Sequence, residues 1–266
     1  MVETIDLGQV AAVAEEAGHA IMEIYARDFA VEYKADESPL TEADTRANEI
    51  ICTRLEKLYP GIPMLSEENK TVPYETRKGW EAYWCVDPID GTKEFIKKNG
   101  EFTVNIALIE NGEPVLGVVY APALGDLYTA KRGEGARKNG ESLPLQHNDT
   151  PEKVLRVVAS KSHLSPETQA FIDALAKRTE RIEQVSKGSS LKLVMVAEGS
   201  ADIYPRLAPT MEWDTAAADA VVREAGRMSY RYEEGVDYLQ SSKEELAELR
   251  LPYNKENLLN SWFVVV

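Results

Sequence analysis

The segment Trp84-Cys85-Val86-Asp87-Pro88-Ile89-Asp90-Gly91-Thr92-Lys93-Glu94-Phe95 runs from apolar residues into two carboxylates and a Gly-Thr pair. Acids three apart cannot share one face of a regular strand, because strand side chains alternate. Pro88 fixes its own φ and holds Asp87 extended, so the spacing predicts a turn right after Asp87 that brings Asp90 back beside it. Adjacent carboxylates repel unless a cation lies between them. Oxygen-only donors of this kind suit Mg²⁺, a hard ion that keeps several waters and completes its shell with substrate phosphate. Gly91 and Thr92, at the head of an expected short helix, offer amides and a hydroxyl to that phosphate. Taken alone, Asp-x-x-Asp-Gly equally describes a loop tip.

Two further acidic segments add weight. Leu65-Ser66-Glu67-Glu68 places acids just after an apolar run, and Glu212-Trp213-Asp214-Thr215-Ala216-Ala217 places Asp214 at the mouth of an Ala-rich helix. An exposed loop accounts for the first and a helix cap for the second. Neither account explains three acidic segments at element ends together with a Gly-Thr pair. Lys161, His163, Lys192 and Arg206 supply positive or donor groups in the second half, although Lys192 also fits a helix lysine with a buried stem. No Cys-x₅-Arg or Gly-x-Ser-x-Gly nucleophile motif is visible. The chemistry these residues suggest on their own is a divalent cation held beside a bound phosphate, with no side-chain nucleophile in view.

The elements that must position these residues follow from periodicity. Ile5, Val10, Val13, Ala17, Ile21, Ile24 and Tyr25 form one stripe of an amphipathic helix. Thr41, three residues before Asp44, resembles a capping box heading a second helix that ends near Pro60-Gly61. Strand-length runs follow at 82–86, 102–109, 115–121 and 127–130, with Asn111-Gly112 predicting a type I′ hairpin turn. Beyond Pro151 the pattern alternates: strand 154–159, helix 166–177, strand 182–185, helix 190–197, strand 201–204, helix 216–225 and a closing strand 262–266. This predicts an α/β chain of two units. Residues 1–150 form an N-terminal α+β unit with a mainly antiparallel sheet and most of the acids, and 151–266 form a smaller α/β unit.

Composition narrows the partners. The 266 residues are 44% hydrophobic, and 30 Lys+Arg against 45 Asp+Glu give a net charge of −15. Such a field repels polyanions, so a nucleic acid polymer is not an expected partner, and a multiply charged small substrate would need bound cations to approach. Cys52 and Cys85 sit inside apolar patterns, which argues against a zinc ribbon and for a reduced compartment. No apolar stretch of ~18 residues occurs and no leader pattern opens the chain, so the expected location is the cytoplasm, with peripheral contact to the inner membrane left open.

Ser38-Pro39-Leu40-Thr41 leading to Asp44, Ser66-Glu67-Glu68, Asp87-Pro88-Ile89-Asp90-Gly91-Thr92 and Trp213-Asp214-Thr215-Ala216-Ala217 together resemble the inositol monophosphatase superfamily of metal-dependent, lithium-sensitive phosphatases. Lys93-Glu94-Phe95, Ala159-Ser160-Lys161-Ser162-His163 and Gly188-Ser189-Ser190-Leu191-Lys192 resemble its 3′(2′),5′-bisphosphate nucleotidase branch. The resemblance implies a layered αβαβα sandwich with two or three Mg²⁺ per site. It implies that Glu67, Asp87 and the Ile89 carbonyl hold one ion, that Asp87, Asp90 and Asp214 hold another, and that Glu68 stays outside. Asp44, Glu67 and Thr92 would orient or deprotonate the attacking water, while Gly91, Thr92, Ser160, His163, Gly188, Lys192 and Asp214 would contact substrate. The implied reaction converts adenosine 3′,5′-bisphosphate to AMP and phosphate, with 3′-phosphoadenylyl sulfate as a second substrate, in sulfate assimilation. The rival readings are an inositol phosphate or sugar bisphosphate phosphatase of the same superfamily, and a non-catalytic metal or phosphonucleotide sensor. Monomer and homodimer stay undetermined. One departure is Arg227 after Gly226, where relatives usually carry a small residue; a loop is expected there.

Overall fold

A computed structural model describes residues 1–34, 39–70, 72–145, 154–159 and 164–266. Helix α1 (Leu7–Tyr25) begins where the Asp6 side chain accepts from the amides of Gly8 and Gln9, satisfying donors that the first turn leaves open. Its buried stripe includes Val10, Val13, Ala17, Ile21 and Ile24, as periodicity predicts. A short antiparallel pair, β1 (Val31–Tyr33) and β2 (Pro39–Thr41), leads into α2 (Glu42–Leu58). The Thr41–Asp44 capping box is present, and α2 buries Ala47, Ile51 and Leu55.

The central sheet comprises β3 (Met64–Ser66), β4 (Ala82–Asp90), β5 (Thr103–Glu110), β6 (Glu113–Ala121), β7 (Asp126–Lys131), β8 (Gly135–Lys138) and β9 (Glu141–Ser142), paired in chain order. Only β3 runs parallel to its neighbour, and the remaining pairs are antiparallel. Short helices α3 (Tyr74–Arg77) and α4 (Thr92–Ile96) flank β4. The β5–β6 turn carries positive φ at both Asn111 (53°) and Gly112 (76°), the backbone a type I′ turn demands.

Both faces of this sheet are covered. On one side Ile21, Ile51 and Leu55 pack with Trp84, Val86, Val104 and Ile106. On the other, α6 (Leu191–Glu198) and α7 (Glu212–Glu224) pack Val194, Ala217 and Val221 against Tyr83, Cys85, Ala107 and Val119. Gly117 makes the second contact possible: a Cβ there would lie 2.1 Å from the Ala217 carbonyl oxygen. Helix α7 thus rests directly on β6, which seats Asp214 at the edge of the sheet.

The last layers come from the C-terminal third. Strand β10 (Val154–Ala159) pairs in parallel with β11 (Arg181–Ser186), and β12 (Tyr204–Arg206), β13 (Ser229–Arg231) and β14 (Phe263–Val265) form a sheet ordered β12-β14-β13. Tyr204, Phe263 and Val265 face the α6–α7 layer. Helix α5 (Pro166–Ala176) closes the outside through Ile172, which shares a cluster with Val157, Ile203 and Val264. The result is the αβαβα sandwich. Against expectation, β12 begins only at Tyr204, where the 201–204 reading began three residues earlier, and Ile203 merely bridges to Val157. The loop expected at Arg227 lies between α7 and β13.

Candidate active site

Strand β4 does not turn after Asp87. Asp87 pairs with Asn105 and Asp90 with Thr103, so three steps on β4 oppose two on β5. The extra residue is a bulge, and it resolves the problem of two acids three apart by kinking the strand rather than ending it. Both carboxylates then line one cavity of about 380 Å³, together with Glu67, Ile89, Thr92, Gly188, Lys192, Arg206 and Asp214. These nine positions, all singled out in the sequence, are brought to one hollow from β4, β12, the loop after β3, and the heads of α4, α6 and α7.

Each acid is held by its own local device. The Glu67 amide donates to the Val86 carbonyl at 3.1 Å, which fixes the loop after β3. Asp87 Oδ1 accepts from the Ile89 amide at 3.1 Å. Asp214 Oδ2 accepts from the Met211 amide at 2.8 Å, so the capping role is real, yet the same side chain lines the cavity. Asp44 Oδ2 accepts from the Thr41 amide and hydroxyl at 2.8 and 2.7 Å, leaving Oδ1 facing the Thr92 hydroxyl at 3.3 Å. That hydroxyl also lies 3.2 Å from the Ile89 carbonyl.

Electrostatics define the cluster. Burial pushes Asp87 well above the ordinary carboxylate range, and the charges of Glu67, Asp90 and Asp214 push further. Burial, then the neighbouring Asp90, takes Asp214 up to about 8. Asp90 is also raised by burial, although Lys192 and Ser190 pull the other way. Asp44 rises because burial outweighs its bonds to Thr41. Burial lowers Lys192 to about 8 although the charge of Asp90 pulls it up, and its Nζ donates to the Ser189 carbonyl at 2.6 Å. Ser189 takes a left-handed backbone (φ 47°), a strained conformation for a residue with a Cβ.

Glycines let the two walls close together. Gly91 has φ 92°, and a Cβ on it would meet the Glu101 carbonyl at 3.0 Å and Ser189 Cβ at 3.2 Å. The Gly188 amide donates to Glu101 Oε2 at 2.9 Å. Gly188 therefore brings closeness to the cavity rather than a spare donor. Ser160, Lys161, Ser162 and His163 lie outside the described residues, as does Ser38.

The site contains residues that pattern reading missed. Lys34, just past β1, reaches Glu67 Oε1 at 2.8 Å and Glu68 Oε1 at 2.6 Å. Burial opposes its charge, but these two hydrogen bonds outweigh burial and hold Lys34 above its ordinary range. Ser190 donates to Asp90 Oδ2 at 2.5 Å. Neither residue carries a spacing signal, because each partner is remote in sequence.

Among the described residues no three His, Cys, Asp or Glu side chains converge as a ready cation cage. The reason is visible in the bonds above: Glu67 is drawn to Lys34, Asp90 to Ser190, and Asp214 to its own helix start. The donor set nonetheless fits a hard divalent ion. Asp87 is 1% exposed, accepts from the Ile89 amide, and has three more acids around it and no ion-pair partner among the described residues. Like charges this deeply buried spread apart until countercharge arrives.

Comparison with known proteins agrees with the geometry. The sequence pattern described as the inositol monophosphatase family matches residues 1–261. A 3′(2′),5′-bisphosphate nucleotidase CysQ from Escherichia coli is 46% identical over 223 residues, covering 83% of this chain and 88% of that protein. One of the same name from Haemophilus influenzae is 34% identical and covers 98% and 92%. The crystal structure of CysQ from Bacteroides thetaiotaomicron superposes with a TM-score of 0.82 at 45% identity, covering 97% of this chain and 96% of that one. With the layered sandwich, the acid-lined hollow and a match along nearly its whole length, the chain belongs to the inositol monophosphatase family.

Proposed function

We propose that this chain is a metal-dependent 3′(2′),5′-bisphosphate nucleotidase that hydrolyses adenosine 3′,5′-bisphosphate to AMP and phosphate, with 3′-phosphoadenylyl sulfate as a second substrate, serving sulfate assimilation in the cytoplasm. The observation that carries the reading is one cavity lined both by the acids Glu67, Asp87, Asp90 and Asp214 and by the cations Lys192 and Arg206. A substrate with two separated phosphates has a use for both sets of charges, whereas an inositol monophosphate leaves the lysine and arginine unanswered. The relatives named above carry the same activity in their names.

In this reading Glu67, Asp87 and the Ile89 carbonyl would hold one Mg²⁺ and Asp87, Asp90 and Asp214 would hold another, with two or three ions in the loaded site. Bound there, the ions lower the pKa of water and absorb charge on the phosphoryl group. The chain's own residues do the rest. Asp44, with one oxygen locked by Thr41, accepts the Thr92 hydrogen bond on Oδ1, which leaves a lone pair of Thr92 Oγ1 to accept a hydrogen bond from the attacking water and orient it. Glu67 works beside this pair once it leaves Lys34. Gly91 and Gly188 keep the walls close enough to grip substrate, and Lys192 supplies charge to the second phosphate. Ser160 and His163 contact the nucleoside. Residues 1–150 and 151–266 act as the two units that meet at this site.

A phosphate-release panel tests the proposal. Rapid release from adenosine 3′,5′-bisphosphate, abolished by EDTA and restored by Mg²⁺, is expected. A clear preference for inositol 1-phosphate or fructose 1,6-bisphosphate would overturn the substrate, and no release from any of them would favour a sensor.

A further inference from the structure

Ser190, 1% exposed at the head of α6, joins four elements through one oxygen. Its Oγ lies 2.5 Å from Asp90 Oδ2 on β4, 3.0 Å from the Asp214 carbonyl on α7, and 2.7 Å from Asn105 Nδ2 on β5. A hydroxyl has one proton to donate. Asn105 donates through Nδ2 and so occupies a lone pair of Ser190, which leaves the single proton for the charged acceptor, Asp90, in preference to the neutral carbonyl. The opposite amide orientation would aim Asn105 Oδ1 and Asp90 Oδ2 at the same proton. Asn105 is itself 1% exposed, and its Oδ1 finds no hydrogen-bond partner among the described residues. A buried amide kept with half its capacity unmet is a cost, and what it secures is the direction of the bond to Ser190.

We infer that Ser190, oriented by Asn105, is a positioning residue that fixes which oxygen of Asp90 faces the cavity and thereby sets divalent-cation affinity on the Asp90–Asp214 side. This rests on the reading of Asp90 as a cation ligand. The relay Asn105→Ser190→Asp90 engages Oδ2 of a carboxylate that lines the cavity, and the Ser190 backbone amide donates to the same carboxylate. The Asp214 carbonyl lies 3.0 Å from the same oxygen, which places the first turn of α7 beside the relay. Without it, Asp90 can rotate its carboxylate, and each cation bound must first pay for ordering it.

Mn²⁺ titration of the substrate-free chain by electron paramagnetic resonance tests the assignment, beside steady-state kinetics and thermal melting in EDTA. Ser190→Ala is expected to weaken Mn²⁺ binding by about tenfold or more. It should raise the Mg²⁺ concentration for half-maximal rate by a similar factor, while KM for adenosine 3′,5′-bisphosphate at saturating Mg²⁺ stays within about twofold. Ser190→Thr, which keeps the oxygen, should recover most of the affinity. Unchanged Mn²⁺ affinity in Ser190→Ala overturns the inference, as does equal loss in both variants. If Ser190→Ala does not fold, Asn105→Ala repeats the test from the other end of the relay: weaker Mn²⁺ binding supports it and wild-type affinity overturns it. A wild-type chain that binds Mn²⁺ but releases no phosphate sinks the nucleotidase reading alone, because the Mn²⁺ comparison still decides the role of Ser190. A wild-type chain that binds no Mn²⁺ sinks both.

Discussion

Asp90 concentrates most of the site's logic in one side chain, since it lines the cavity, accepts from Ser190 and shares its field with Asp87 and Asp214. Asp90→Asn removes one negative charge without removing bulk. It is expected to abolish Mg²⁺-dependent phosphate release while the far-ultraviolet dichroism stays that of the parent; an unaffected rate would reject Asp90 as a ligand. Lys192 is the complementary case. Its ammonium is buried and already weakened by burial, so it has more to gain from a phosphate than an exposed lysine has. Lys192→Met should therefore raise KM for adenosine 3′,5′-bisphosphate by tenfold or more, roughly 1.4 kcal/mol, with kcat changed less. A variant with an unchanged KM would remove Lys192 from the substrate contacts.

Helix α7 must lie directly on β6 for Asp214 to reach the acids of β4, and Gly117 is what permits it. Because a Cβ would sit 2.1 Å from a backbone carbonyl and 2.8 Å from Ala220 Cβ, Gly117→Ala forces the helix away. A loss of about 1–3 kcal/mol is expected, read as a lower urea midpoint, together with weaker Mn²⁺ binding. Normal stability with normal binding would show that the contact relaxes freely. The head of α2 behaves differently. Thr41→Ala deletes half of the capping box and one of the bonds that lock Asp44. It should cost about 1 kcal/mol and also reduce turnover, since Asp44 could then turn away from Thr92. At this scale periodicity was a good guide to α1, α2 and the Asn111-Gly112 turn, where local signals suffice. It passed over β8, β9 and β13, which are two to four residues long with little apolar content, because pairing with a neighbour creates them rather than their own pattern.

For the whole molecule the acid cluster is a liability that a cation turns into an asset. Asp214 ionises near 3.8 when unfolded and near 8 in the fold, and Asp87 is raised as well. Between those values the native state holds more protons than the unfolded chain, so without metal, stability falls as pH climbs from about 4 towards 8. Below that window both states are protonated and the penalty disappears. A divalent ion binds the deprotonated acids, so the rise in Tm on adding Mg²⁺ should be widest near pH 8 and shrink towards pH 5. Melting curves with Mg²⁺ and with EDTA across this range check it. An equal gain at both ends would mean that the ion binds elsewhere. Among the described residues no helix is long and apolar enough to cross a membrane.

Residue order alone made the acidic segments legible, because Asp-Pro-Ile-Asp-Gly-Thr, Glu67 and the Asp214 helix head are contiguous and chemically distinctive. It also announced the capping box and the run of helices and strands, whose signals are local or repeat with a fixed period, whereas the layered sandwich was implied by the resemblance. It mistook the bulge in β4 for a turn, since the proline that suggests a turn is equally at home where a strand loses one step of register. The bonds of Lys34, Asn105 and Ser190 emerged only once the chain was folded: Lys34 meets Glu67 across 33 residues of sequence, Asn105 meets Ser190 across 85 and Ser190 meets Asp90 across 100. Local physics can say which side chains would do chemistry. Which oxygen each of them presents depends on neighbours that folding alone brings near.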